Sequence, residues 1–126
     1  MKHLAAILSI LALLAGPLLA SDISLQDLKK AIDSKTVTLI DVNGTESYNS
    51  RHIPGAVDFF AYQKDLADKL PADKNTLIVA YCYSPQCPAY KLAVDATEKL
   101  GYTNVKHFAP GISGWVNAGE PTQKGN

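Results

Sequence analysis

The apolar run Leu77-Ile78-Val79-Ala80-Tyr81 constrains this chain more than any other stretch. It is too short for a helix and shows no polar alternation. Such a run fits a strand covered on both faces, the usual state of a strand in a parallel sheet. It leads straight into Cys82-Tyr83-Ser84-Pro85-Gln86-Cys87. Pro88 then suits the first position of a helix. Ala89, Leu92, Ala93, Ala96 and Leu100 form one apolar stripe at helical spacing, and Gly101 stops it.

The rest of the chain alternates in the same way. Ser24 is placed to cap a helix whose apolar positions are Leu25, Leu28 and Ile32, with Asp27 reinforcing its start. Residues 37–42 read as a strand ending in the turn signal Asn43-Gly44, and residues 46–50 as a short helix. Ile53-Pro54-Gly55-Ala56 is a turn, followed by a brief strand over 57–59. Tyr62, Leu66 and Leu70 predict a helix stopped by Pro71. A strand over 105–108 and a helix over 112–118 complete the pattern. Strands alternating with helices specify an α/β fold with a mainly parallel sheet.

A length of 126 residues suits one domain. Lys+Arg and Asp+Glu number 12 each, which leaves no basic field for nucleic acid. Lys2 and His3 precede an apolar run over 4–15, interrupted only by Ser9, and Gly16-Pro17 follows. That layout predicts a signal peptide over 1–20, cut after Ala20, and a domain over 21–126. The run is short for a hydrocarbon core of ~30 Å, so an uncleaved anchor is the lesser alternative. The expected location is therefore periplasmic or secreted, with no membrane attachment after cleavage.

Cys82 and Cys87 are the only cysteines. A loop this short stabilises a fold less than a long one would, so the pair points to chemistry more than to stapling. Sites in open α/β sheets form beyond the carboxyl ends of strands. A following helix N-terminus, worth about half a positive charge, favours an anion or a thiolate there. Cys82 is thus expected to have a lowered pKa and to be the reactive group. The alternative is a small buried residue with no chemistry.

The chain resembles the rhodanese family. The resemblance runs through Thr38-Leu39-Ile40-Asp41-Val42 with Glu46 and Tyr48, then Arg51-His52-Ile53-Pro54-Gly55-Ala56-Val57. It continues through Ile78-Val79-Ala80-Tyr81-Cys82, Leu100-Gly101-Tyr102-Thr103-Asn104-Val105 and Gly111-Ile112-Ser113-Gly114-Trp115. It implies a parallel sheet with helices on both faces and places Cys82 as the nucleophile. It further implies a sulfurtransferase in which Cys82 takes sulfane sulfur from a small donor as a persulfide. The sulfur would then pass to a thiol or cyanide, a two-step covalent route. Tyr83, Ser84, Gln86 and Cys87 would line the substrate, with loop N–H groups cradling the anion. The sequence gives no sign of a metal or cofactor site; the expected partners are a small sulfur donor and a thiol acceptor, and we expect a monomer.

The departures matter as much. The loop carries no Arg or Lys, and Pro85 has no N–H to donate. A dianionic donor such as thiosulfate should therefore be used weakly. The missing loop Arg also disfavours phosphate chemistry. Asn43 stands where the family usually has Arg, so its ion pair with Glu46 is absent; we read this as altered packing. Cys87 admits several readings: a resolving or redox thiol, a soft-metal ligand with Cys82, or an inert helix-start residue. His52, His107, Trp115 and Asp41 are read as structural; Tyr83 and Trp115 have a lesser claim on a substrate mouth. Two other functions stay open: a thiol–disulfide protein using Cys82 and Cys87, and a non-catalytic binding module.

Overall fold

The computed structural model describes residues 20–125. The expected signal peptide thus lies outside the described residues except for Ala20. Its strands are β1 (Ser21–Asp22), β2 (Val37–Asp41), β3 (Val57–Asp58), β4 (Leu77–Tyr81) and β5 (Val105–His107). They form one sheet in the order β1-β5-β4-β2-β3, every pair parallel. The helices are α1 (Leu25–Asp33), α2 (Thr45–Ser50), α3 (Phe59–Tyr62), α4 (Tyr90–Lys99) and α5 (Gly111–Asn117), with a 3-10 segment over Gln63–Lys69.

The apolar run sits at the centre of the sheet, as its lack of alternation requires. Its side chains divide by the period of two. Val79 and Tyr81 join Leu39, Leu28, Phe108, Ile112 and Trp115 on the face covered by α1 and α5. Ile78, Ala80 and Cys82 join Ile40, Val42, Phe59, Leu66, Ala93 and Val94 on the face covered by α3 and α4. Cys82 therefore continues the strand alternation into the second core. Burying a side chain such as Leu28 contributes about 1.5–3 kcal/mol. The Ser24 hydroxyl accepts from the Asp27 N–H at 3.1 Å, the cap expected for α1.

Several expectations need correction. Helix α4 begins at Tyr90, two residues later than Pro88 implied; Pro88 and Ala89 make a tight turn through Lys91 N–H to Pro88 O at 3.2 Å. Its buried face is Ala93, Val94 and Thr97, while Leu92 and Leu100 are exposed. Thr97 is tolerated there because its hydroxyl bonds the carbonyls of Ala93 and Val94 at 2.8 and 3.0 Å. The helix expected across Tyr62 to Leu70 is two pieces, α3 and the 3-10 segment, with Asp65 breaking the helical geometry. Phe59 starts α3 instead of extending β3, because Asp58 caps the N–H groups of Phe60 and Ala61. Strand β1 is a two-residue strand that no apolar pattern signals; it pairs with β5 through Ser21 and Asp22.

Candidate active site

At the end of β4 the chain turns into the loop, and α5 fixes where it turns. The Ile112 N–H donates to Cys82 O at 2.9 Å, and the Ser113 N–H to Tyr83 O at 3.0 Å. Such close docking needs a glycine. Gly111 has φ +64°, and a methyl group there would lie 2.6 Å from Cys82 O and from Tyr83 C and O. The glycine-rich element after β5 thus clamps the first two residues of the loop from behind.

Within the loop, the Cys87 N–H donates to Ser84 O at 3.1 Å, folding the segment back on itself. Cys82 and Cys87 are joined by a disulfide, with Cα atoms 6.3 Å apart. That separation lies inside the usual range of roughly 4.4–6.8 Å. Cys82 Sγ is also 3.2 Å from Cys87 O. Cys82 is buried, Ser84 and Cys87 are half-buried, and Tyr83 and Gln86 are exposed. The N–H groups of Tyr83, Ser84 and Gln86 find no acceptor among the described residues. Those three donors are left to solvent or to an anion.

A buried network supports the strand end. The Tyr81 hydroxyl donates to Asp41 Oδ2 at 2.7 Å and accepts from the Ile53 N–H at 3.0 Å. Asp41 Oδ1 accepts from the Asn43 N–H at 2.8 Å. Burial pushes the Asp41 carboxyl above the usual carboxylate range, against the opposing effect of its Tyr81 bond. Burial and the neighbouring Asp41 drive the Tyr81 phenol upward, so it stays a donor. Asp41 acts here as a structural acceptor.

Arg51, which the sequence places in the family-like segment without a role, lies beside the loop. Arg51, Asn43, Ser47, Ser50, Tyr83 and Ile112 line a cleft of about 160 Å³. Asn43 Nδ2 is buried there without a partner among the described residues. The available signal was the position of Arg51 two residues before Ile53, which Tyr81 ties to the strand end. Of the predicted site residues only Tyr83 lines this cleft; Cys82, Ser84, Gln86 and Cys87 do not. A larger cleft, about 510 Å³, runs past Tyr48, His52, Asp58 and Tyr62 and contains no loop residue.

The remaining candidates are held by stacking and hydrogen bonds. His52 Nδ1 is 2.8 Å from Tyr48 O, and its ring stacks on Tyr48 at 3.7 Å. Trp115 is buried and donates to Pro121 O at 2.7 Å; it lines a separate cleft of about 180 Å³ with Pro54 and Pro121 that contains no loop residue. His107 stacks on Tyr90 at 3.4 Å, with Nδ1 3.4 Å from Asp22 Oδ1. Burial lowers its pKa, only partly offset by Asp22.

The rhodanese-like domain model matches residues 24–118. The chain belongs to the rhodanese-like domain family. This rhodanese-like domain is 34% identical over 100 residues to an HTH-type transcriptional regulator of Mycobacterium tuberculosis, covering 79% of this chain and 43% of that one. It is 29% identical over 101 residues to a putative sulfur carrier protein of Bacillus subtilis, covering 79% and 52%. The chain spans about half the length of these curated relatives. The rhodanese-like domain of an Anabaena protein superposes with a TM-score of 0.66 at 22% identity, covering 84% of this chain and 80% of that one. A thiosulfate sulfurtransferase of Pseudomonas aeruginosa gives 0.61 at 18%, covering 85% and 21%. At these identities the solved structures establish the shared fold.

Proposed function

We propose that this rhodanese-like domain transfers sulfane sulfur through a persulfide on Cys82. The observation that carries the reading is the seat of Cys82. It ends the central strand, is clamped by Gly111–Ser113, and is followed by N–H groups with no acceptor among the described residues. When Cys82 is a free thiolate, it attacks the outer sulfur of a donor, and the donor leaves with the bonding electrons. The N–H groups of Tyr83, Ser84 and Gln86 then hold the persulfide anion. A thiol or cyanide takes the sulfur and regenerates the thiolate. The sulfur-carrier description of the Bacillus relative supports this chemistry.

The loop's lack of charge supports weak use of thiosulfate and better use of a less charged donor, such as an organic persulfide. The protein would be exported, given the leader-like residues 1–20, and act as a monomer. Among the described residues no helix is long and apolar enough to cross a membrane. The test uses the reduced protein with thiosulfate or glutathione persulfide and cyanide, measuring thiocyanate. Turnover should be faster with the persulfide and lost in Cys82→Ser. Efficient thiosulfate turnover would overturn the donor preference, and activity surviving in Cys82→Ser would overturn the reading itself. Fractionation of cells expressing the full chain tests export; retention in the cytoplasm with an intact leader contradicts it.

A second reading, thiol–disulfide exchange, is favoured by the Cys82–Cys87 bond. It expects a reduced protein that oxidises without ever carrying an extra sulfur.

A further inference from the structure

The disulfide occupies the nucleophile that the proposed chemistry needs. Cys82 is only 1% exposed, and its sulfur is already bonded. The loop's flanks are held independently of that bond. Cys82 O and Tyr83 O are fixed by the N–H groups of Ile112 and Ser113, and Pro88 O by that of Lys91. The Ser84–Cys87 turn sets Cys87 beside Cys82, and the pair closes at 6.3 Å between Cα atoms. A second thiol is therefore within bonding reach of the sulfur that would carry the persulfide. The uncharged loop supplies no competing ion pair to hold it away.

We propose that Cys87 resolves the Cys82 persulfide, releasing the carried sulfur as sulfide and closing the Cys82–Cys87 disulfide. The inference rests on the sulfur-transfer reading above and assigns the product of that site.

The atom that Cys87 meets decides the outcome. In the structure Cys87 Sγ bonds Cys82 Sγ, which is the inner sulfur of a persulfide on that residue. Attack on the outer sulfur would only move the persulfide to Cys87. Attack on the inner sulfur forms the Sγ–Sγ bond and breaks the bond to the outer sulfur, which leaves with the electron pair. The proton of the Cys87 thiol ends on that leaving group, giving hydrosulfide. The outer sulfur is reduced to sulfide, and the two cysteine sulfurs together supply its two electrons. A dithiol then reduces the disulfide to two thiols and becomes a disulfide itself. Each cycle consumes one sulfane sulfur and one dithiol, so the domain would act as a sulfane-sulfur reductase that needs no separate sulfur acceptor. The structure corresponds to the resolved state that awaits its reductant.

The test compares the full chain with Cys87→Ser, both reduced and freed of reductant under argon. Reduced-state melting curves first establish that the variant is folded. Each protein receives one equivalent of glutathione persulfide. Sulfide is measured against time, and the intact mass is taken after quenching. The wild type should release close to one sulfide per chain and end two hydrogens lighter. Cys87→Ser should keep one added sulfur and release sulfide more than about ten-fold slower, since only dilute glutathione remains to attack it. A wild type that keeps the added sulfur as long as the variant, with Cys87 still open to alkylation, would overturn the resolving role and leave sulfur transfer intact. If neither protein gains sulfur, the sulfur-transfer reading falls, and this inference falls with it.

Discussion

Replacing Gly111 with alanine tests how the loop is held. The new methyl would sit 2.6 Å from Cys82 O and from two backbone atoms of Tyr83, none of which is a flexible side-chain end. Either α5 moves away or the loop does, and both routes break the bonds from Ile112 and Ser113 at 2.9 and 3.0 Å. Losing those bonds costs about 0.5–1.5 kcal/mol each. The φ of +64° adds about 1 kcal/mol for a residue bearing a Cβ. Crowding adds about 1 kcal/mol or more. The total is on the order of 3–5 kcal/mol, a drop in Tm of at least about 12 °C for a domain of this size. Gly119 supplies the control. Its φ is +79°, but nothing lies within 4 Å of its added methyl, so Gly119→Ala isolates the conformational cost. Its Tm should fall by only about 4–8 °C. Melting curves of the two variants within about 3 °C of each other would refute the clamp.

Other outcomes follow from the buried polar groups. Tyr81→Phe removes the donor to Asp41 and leaves the Ile53 N–H unpaired, so urea unfolding should show a loss of about 2–4 kcal/mol; a loss below about 0.5 kcal/mol would count against the network. His107 is held neutral by burial, so its folded pKa lies below that of the unfolded chain. The unfolded state then takes up the proton first as pH falls. Its contribution is complete above about pH 6.5 and is lost as pH drops through the depressed folded value. Urea midpoints from about pH 7.5 to about pH 5 should fall more steeply for the wild type than for His107→Gln; equal slopes would contradict this.

Much of the fold was readable because its signals are local. The Ser24 cap with Asp27, the unalternating β4 and the stop at Gly101 depend on neighbours in the chain. Less readable features depend on partners far away in sequence. Strand β1 has only Ser21 and Asp22, and it exists because β5 lies beside it. The face that α4 buries was misread because Thr97 scores as polar while its hydroxyl is satisfied within its own helix. Arg51 lies beside the loop where α2 ends and Ile53 is tied to Tyr81, a contact across 28 positions that no periodicity reveals. The position of Cys82 at the strand end was legible; its pairing with Cys87 stayed open, because spacing alone does not say how a loop curves.

The most direct measurement of the central claim is the mass of the Cys82 peptide from Cys87→Ser, reduced, exposed to glutathione persulfide and blocked with an alkylating agent. The account predicts one added sulfur between Cys82 and the blocking group, and its loss as thiocyanate when cyanide is added before the blocking agent. A folded variant whose Cys82 is alkylated directly, with no sulfur gained from that donor or from thiosulfate, would contradict it.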